Sequence, residues 1–80
     1  MPDLVPQITQ ILSALFNVSI DTLSIDSSIA NVEGWDSIGQ LMVIVELEQQ
    51  FGIQISPESA ETLISVAKIQ EFLTDRSADT

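Results

Sequence analysis

The chain has 80 residues and a formal net charge of −10, from twelve carboxylates against one lysine and one arginine. This length allows one domain, residues 1–80, and a hydrophobic content of 45% favours a folded globule over an acidic disordered chain. The sequence has no cysteine, which excludes disulfides, and no histidine, which removes the most common general base and metal ligand; we predict no metal site. The acidity argues against nucleic acid as a partner and favours partners with basic surfaces.

No stretch of the sequence has the pattern of a membrane span or a secretion signal. The longest apolar run, Leu41 to Val45, ends at Glu46 and is far shorter than the roughly 20 residues of a spanning helix. The N-terminus carries Asp3 and no basic residue, unlike a signal peptide. We therefore expect a cytoplasmic protein that does not insert into membranes.

The first predicted helix runs from about Asp3 to Asn17. Asp3 is a candidate N-cap, and Pro6 falls in the first turn, where a missing N–H does little harm. An apolar stripe at helical spacing predicts the face that packs on the core, and it consists of Leu4, Ile8, Ile11, Leu12 and Leu15.

Residues 18–36 are predicted to be a long connection. Its serine, aspartate and asparagine residues favour turns, and it has room for a helical turn of its own. A loop of this length inside a compact domain needs apolar anchors, for which the candidates are Ile20, Leu23, Ile25, Ile29 and Val32.

The second predicted helix begins at Asp36 or Ser37 and ends at Gly52, a residue type that commonly follows a helix. Ser37 and Gln40 have the spacing of a capping box, whereas Asp36 is better suited to the helix dipole. Both candidates for the N-cap therefore stay open.

A short helix and a last helix follow. Ser56-Pro57-Glu58 has the cap-then-proline pattern and predicts a short helix that ends near Thr62. The last helix begins at Ser65, frays after Thr74, and has one apolar stripe of Val66, Ile69, Phe72 and Leu73. The predicted fold is all-α: a small four-helix bundle with three main helices, one short helix, a long first loop and an ordered core of about residues 3–74.

The second helix is apolar on two nearly opposite faces at about 100° per residue. One face has no charge at its centre and is assigned to the core; it consists of Val43, Ile44, Leu47 and Phe51. The other face, here called the apolar strip, consists of Ile38, Leu41, Met42 and Val45.

We predict that the apolar strip is a partly exposed docking face with Glu46 and Glu48 at its edges. Charge changes at these two carboxylates are expected to leave stability nearly unchanged. The alternative is that the long loop covers the strip as well, and it stays open above all for Leu41.

The segment Gly34-Trp35-Asp36-Ser37-Ile38 is the strongest candidate for chemistry. The chain has no histidine to activate a serine and no EF-hand spacing for calcium. A hydroxyl at a helix N-terminus lies where backbone N–H groups and the dipole favour an anion, so a phosphate ester would be well placed on Ser37. The alternative is that Asp36-Ser37 only caps the helix.

Over nearly its whole length the sequence resembles the acyl carrier protein family. The resemblance rests on Trp35-Asp36-Ser37-Ile38, then Leu47-Glu48, Phe51-Gly52-Ile53-Gln54-Ile55, Ser56-Pro57-Glu58, Ala60-Glu61, Ser65-Val66, Ile69 and Phe72-Leu73. Ile38 stands where the family usually has leucine, and Met42 where fatty-acid carriers often have an acidic residue. Met42 and the run from Trp35 to Gly39 favour a discrete carrier of a specialised pathway over a general fatty-acid carrier.

The resemblance implies that a phosphopantetheinyl transferase moves 4′-phosphopantetheine from coenzyme A to Ser37. Asp36 would cap the helix and contact the transferase. The arm would carry acyl intermediates as thioesters for fatty-acid, polyketide or related biosynthesis, on a carrier that catalyses nothing itself. Further implied partners are an acyl- or aminoacyl-loading ligase, and synthase or acyltransferase enzymes with basic docking surfaces. We expect a monomer.

Two other functions stay open: a carrier of aminoacyl or other non-fatty cargo, and an acidic helical adaptor that acts by binding alone. Gly39 costs ~1 kcal/mol relative to alanine inside a helix, and it either lets a partner approach Ser37 or is simply tolerated. Trp35 is predicted to pack the loop onto the bundle rather than to flank the arm.

Overall fold

The computed structural model describes residues 3–78, with side chains described as far as Asp75. Its elements, in chain order, are α1 (Val5–Phe16), a 3₁₀ turn (Ile20–Thr22), α2 (Ser37–Phe51), α3 (Pro57–Ala60) and α4 (Val66–Ala78). No strand occurs among residues 3–78, where an isolated antiparallel bridge joins Ser28 to Ser65. The all-α fold with four helices and a long first loop is therefore confirmed.

The core forms where α1 packs against both α2 and α4. The stripe predicted for the first helix is buried at Ile8, Ile11 and Leu12, while Leu4 and Leu15 pack at its edge. The rest of the core comes from the later helices and from the loops: Val32, Trp35, Val43, Ile44, Leu47, Ile55, Leu63, Val66, Ile69 and Leu73. Burial of these side chains is the main force that holds the bundle together.

The predicted cap of the first helix is wrong. The Asp3 carboxylate accepts a hydrogen bond from Val5 N at 3.1 Å, but Leu4 occupies the cap position and provides no side-chain cap. Leu4 N instead donates to Gln70 Oε1 of α4 at 2.9 Å. A contact between helices therefore fixes the start of α1, and local periodicity does not reveal such contacts.

The predicted end of the last helix is also wrong, because α4 continues to Ala78. Leu73 and Thr74 are both buried, so the packed face of the helix reaches the residue at which fraying was expected. The start at Ser65 is confirmed, since its Oγ accepts a hydrogen bond from Lys68 N at 3.1 Å.

The long loop contains the expected helical turn, at Ile20–Thr22. Val32 is buried, and Leu23 and Ile29 pack against the core, but Ile20 and Ile25 are exposed and do not anchor the loop. Backbone hydrogen bonds join the loop to the segment before α4, from Ile29 N to Ile64 O and from Val66 N to Ser27 O, each 2.9 Å. None of the helices within residues 3–78 is long and apolar enough to cross a membrane.

Candidate functional site

The start of α2 separates the capping residue from the serine. Asp36 Oδ1 accepts a hydrogen bond from Gly39 N at 2.9 Å, which makes Asp36 the N-cap and Ser37 the first residue of the helix. Ser37 is exposed, and its hydroxyl makes no hydrogen bond with any side chain or backbone group of the described residues. The hydroxyl therefore lies beside the unpaired N–H groups and the positive end of a 15-residue helix.

Trp35 holds the approach to Ser37 against the bundle. Its side chain is 2% exposed, and its ring stacks on Phe16 with a centroid distance of 6.2 Å. The indole Nε1–H donates to Gln40 Oε1 at 2.6 Å. Trp35 thus packs the loop onto the bundle, as the sequence predicts.

Gly39 is required by a close internal contact. A Cβ at this position would lie 2.5 Å from the Gly34 carbonyl oxygen and 2.8 Å from Phe16 Cε1. Both sequence interpretations of Gly39, room for a partner and simple tolerance, are therefore wrong. A glycine in the first turn of a helix can indicate close approach of another backbone, but the sequence does not say which one.

The apolar strip on α2 lies outside the core, as predicted. Its four side chains are between 42% and 71% exposed. On the opposite face Val43, Ile44 and Leu47 are buried, and Phe51 packs partly buried against the core. The long loop does not cover the strip, and the first strip residue, Ile38, directly follows Ser37.

The two carboxylates expected at the edges of the strip differ in their contacts. Glu48 Oε2 accepts a hydrogen bond from the backbone N–H of Ile55 at 2.8 Å. Glu46 Oε1 accepts from Gln50 Nε2 at 3.1 Å, and that pair is exposed. Glu48 therefore holds the segment before α3, a structural role that the sequence did not reveal, and with this bond we expect a charge change at Glu48 to lower stability.

An apolar groove of about 350 Å³ lies between α2 and the segment that contains α3. Its apolar walls come from Leu41, Ile44, Ile55, Pro57 and Ala60. The groove is not visible in the sequence, because its two walls come from separate segments of the chain.

Two polar side chains of α2 span the groove. Gln40 donates from Nε2 to the carbonyl oxygens of Ala60 (2.8 Å) and Leu63 (2.9 Å), and Glu48 accepts from Ile55 N. Gln40 lies three residues after Ser37 on α2, so one end of the groove is about one helical turn from the serine, which itself does not line it. Among the described residues, the Gln40 side chain does not bond back to Ser37 as a capping box requires. It bonds to Trp35, Ala60 and Leu63 instead.

The sequence of the chain is similar to those of known proteins. A family model described as "Phosphopantetheine attachment site" matches residues 6–73. A protein of Treponema denticola named "Acyl carrier protein" is 32% identical over 73 residues, covering 91% of this chain and 94% of the relative. Proteins of the same name from Campylobacter hominis (30% identical, 84% of this chain, 85% of the relative) and Cyanidium caldarium (27%, 92% and 86%) are also similar.

Proposed function

The chain belongs to the family of acyl carrier proteins, which bear a phosphopantetheine attachment site, and we propose that Ser37 is that site. The observation that carries the assignment is the division of roles at the start of α2, where Asp36 caps the helix and the Ser37 hydroxyl stays exposed. A phosphodiester on Ser37 would lie at the positive end of α2, close to backbone N–H groups that favour an anion.

In the proposed attachment, the Ser37 oxygen attacks the phosphorus of coenzyme A that bears the pantetheine arm. The new bond joins Ser37 Oγ to that phosphorus, the pyrophosphate linkage breaks, and adenosine 3′,5′-bisphosphate leaves. The serine proton passes to a base of the transferase, so this chain provides the nucleophilic oxygen and the helix terminus. Once attached, the arm supplies a terminal thiol for thioester chemistry, so the carrier needs no cysteine of its own.

We assign the protein an acyl cargo on the basis of the groove near Ser37. Apolar walls favour a hydrocarbon chain by removing it from water, at about 25 cal/mol per Å² of buried apolar surface. A volume of about 350 Å³ lies at the small end of ligand pockets. The groove therefore suits a short or medium acyl chain better than an aminoacyl group, whose ammonium would have to leave water.

The apolar strip supports a docking role toward the transferase, a loading ligase and synthase or acyltransferase partners. It begins at Ile38 and extends on the order of 12 Å along α2 to Val45. No strip residue is charged, whereas Glu33 and Asp36 lie exposed before the helix and Glu46 lies at the margin. A complementary partner surface has an apolar centre and basic groups at its rim.

Arm addition followed by intact mass spectrometry tests the assignment. Incubation with coenzyme A and a broad-specificity phosphopantetheinyl transferase should add one arm to the parent chain and none to Ser37→Ala. Ser56→Ala and Ser65→Ala are matched controls, because they remove serines at the starts of α3 and α4 and should leave the addition intact. An arm on Ser37→Ala would overturn the assignment.

A further inference from the structure

The side-chain amide of Gln40 joins two parts of the molecule that are distant in sequence. Its Oε1 accepts from Trp35 Nε1 at 2.6 Å, and its Nε2 donates to the carbonyl oxygens of Ala60 and Leu63. Trp35 belongs to the turn that leads into Ser37, whereas Ala60 ends α3. The Gln40 side-chain amide thus links the turn before Ser37 to the end of α3 through hydrogen bonds.

α3 depends on such external support. It has four residues, far fewer than the roughly 12–15 that an isolated helix needs for even marginal stability in water. The Ser56 hydroxyl caps its start by accepting a hydrogen bond from Ser59 N. At its end, the Ala60 carbonyl oxygen accepts a hydrogen bond from Gln40 Nε2. Gln40 therefore has a large share in fixing where α3 lies against α2.

The backbone around Ser37 is connected to the same amide. Gln40 N donates to the Asp36 carbonyl oxygen at 2.7 Å, so Asp36 and Gln40 bracket Ser37 within one turn. If α3 moves away and the amide follows it, the buried Trp35 indole N–H loses its acceptor. If the amide stays, the Leu63 carbonyl loses its donor, while the Ala60 carbonyl keeps only the longer bond from Leu63 N at 3.3 Å. Each outcome leaves a polar group unpaired, so the position of α3 and the conformation of the turn change together.

We propose that Gln40 is a positioning residue that couples α3 to the presentation of Ser37, so that α3 contributes to the rate of arm addition. The inference rests on the proposed attachment at Ser37. Gln40 lies outside the apolar strip, so its effect should fall on the reactive geometry of Ser37 rather than on partner docking.

Three substitutions separate the bond that the amide accepts from Trp35 from the two bonds that it donates to Ala60 and Leu63. Gln40→Met removes all three. Gln40→Glu keeps an acceptor for Trp35 but places a carboxylate against the carbonyls of Ala60 and Leu63. Gln40→His provides one acceptor and one donor in its neutral form and should partly restore the link. Gln49→Met and Gln49→Glu are the matched controls on the exposed side of the same helix.

Steady-state kinetics of arm addition, with coenzyme A saturating and the carrier varied, distinguish positioning from unfolding. A misplaced serine should lower kcat roughly tenfold in Gln40→Met and Gln40→Glu, with KM close to that of the matching Gln49 control. Gln40→His should recover part of the loss. A variant that only loses folded protein raises the apparent KM and keeps kcat, and that result would overturn the proposal.

Gln40→Glu decides whether α3 takes part. If it reacts like Gln49→Glu while Gln40→Met is slow, only the Trp35 bond matters and the coupling to α3 is refuted.

Amide NMR spectra of the unmodified chain give a readout that does not depend on the transferase. We expect the Gly34 and Ser37 amide signals to move in Gln40→Glu and to stay in place in Gln49→Glu. Unmoved signals would refute the coupling. A parent chain that accepts no arm, with signals that move as expected, would instead refute the attachment site and leave the coupling standing.

Discussion

Three helices of this protein begin beside a serine, and the starts of α3 and α4 differ from the start of α2. Ser56 and Ser65 are N-caps whose hydroxyls accept hydrogen bonds from Ser59 N and Lys68 N at 3.2 and 3.1 Å. At α2 the cap is Asp36, and the serine lies one position further on, inside the first turn. A shift of one residue thus decides whether a serine hydroxyl is hydrogen-bonded within the fold or stays outside its hydrogen bonds.

The same contrast extends along the helices. Four of the exposed large apolar side chains in the described part of the chain lie on α2, and none lies on α3 or α4. The apolar residues of α4 pack in the core, whereas one apolar face of α2 packs in the core and the other is exposed to solvent. α2 therefore both supports the bundle and presents an apolar surface to solvent.

The largest expected effect on stability distinguishes the buried face of α2 from its exposed face. Leu47→Ala should destabilise the domain by ~2–5 kcal/mol because it leaves a cavity at a side chain that is fully buried. Leu41→Ala removes the same atoms from the apolar strip and should cost under ~1 kcal/mol. Urea unfolding of both variants measures the difference, and equal losses would show that the strip is not a solvent face.

Gly39→Ala tests the close packing under the Ser37 turn. Helix propensity alone predicts stabilisation by ~1 kcal/mol, but the added methyl meets a backbone oxygen and Phe16. We expect a net loss of ~1–3 kcal/mol, since neither the turn nor the ring can move freely. Gln49→Ala on the exposed face is the control, and a stabilised Gly39→Ala in thermal melts would refute the contact.

Glu48→Lys and Glu46→Lys compare a carboxylate that supports α3 with one that does not. Glu48→Lys should lower the free energy of unfolding by about 1.5 kcal/mol, because it removes the acceptor for Ile55 N and replaces it with a donor. Glu46→Lys makes the same charge change near the strip and should alter stability by less than ~0.5 kcal/mol. Identical midpoints for the two variants in urea would argue that the Glu48 bond adds nothing.

The smallest differences concern the caps themselves. Asp36→Ala, Ser56→Ala and Ser65→Ala each remove a capping acceptor and should cost ~0.5–2 kcal/mol. Ser37→Ala should stay within ~0.5 kcal/mol of the parent chain. Differential scanning calorimetry resolves this order, and a loss at Ser37 as large as at Ser56 would mean that the Ser37 hydroxyl also stabilises its helix.

Local periodicity predicted much of this structure. The stripe of α1 and both faces of α2 follow from apolar spacing and from where the charges fall along each helix. The end of α2 at Gly52 and the start of α3 at Pro57 follow from residue types that suit those positions. These features depend on contacts within a few residues along the chain, and a sequence displays such contacts directly.

The features that the sequence did not predict depend on contacts between segments that are distant along the chain. The reach of Gln40 to Ala60 crosses twenty residues, and the bond from Leu4 N to Gln70 crosses sixty-six. Gly39 is explained only once Phe16 and Gly34 are seen against it. The candidate serine was recognisable from its helix-start position and family resemblance, but its separation from the cap required atomic positions at Asp36.

Fragmentation mass spectrometry of the parent chain after arm addition tests the central claim most directly. Because Ser37 alone among the three helix-start serines leaves its hydroxyl outside the hydrogen bonds of the described residues, the arm should map to Ser37. Peptides that contain Ser56 or Ser65 should keep their unmodified masses. An arm on Ser56, Ser65 or any other hydroxyl, with Ser37 unmodified, would contradict the account.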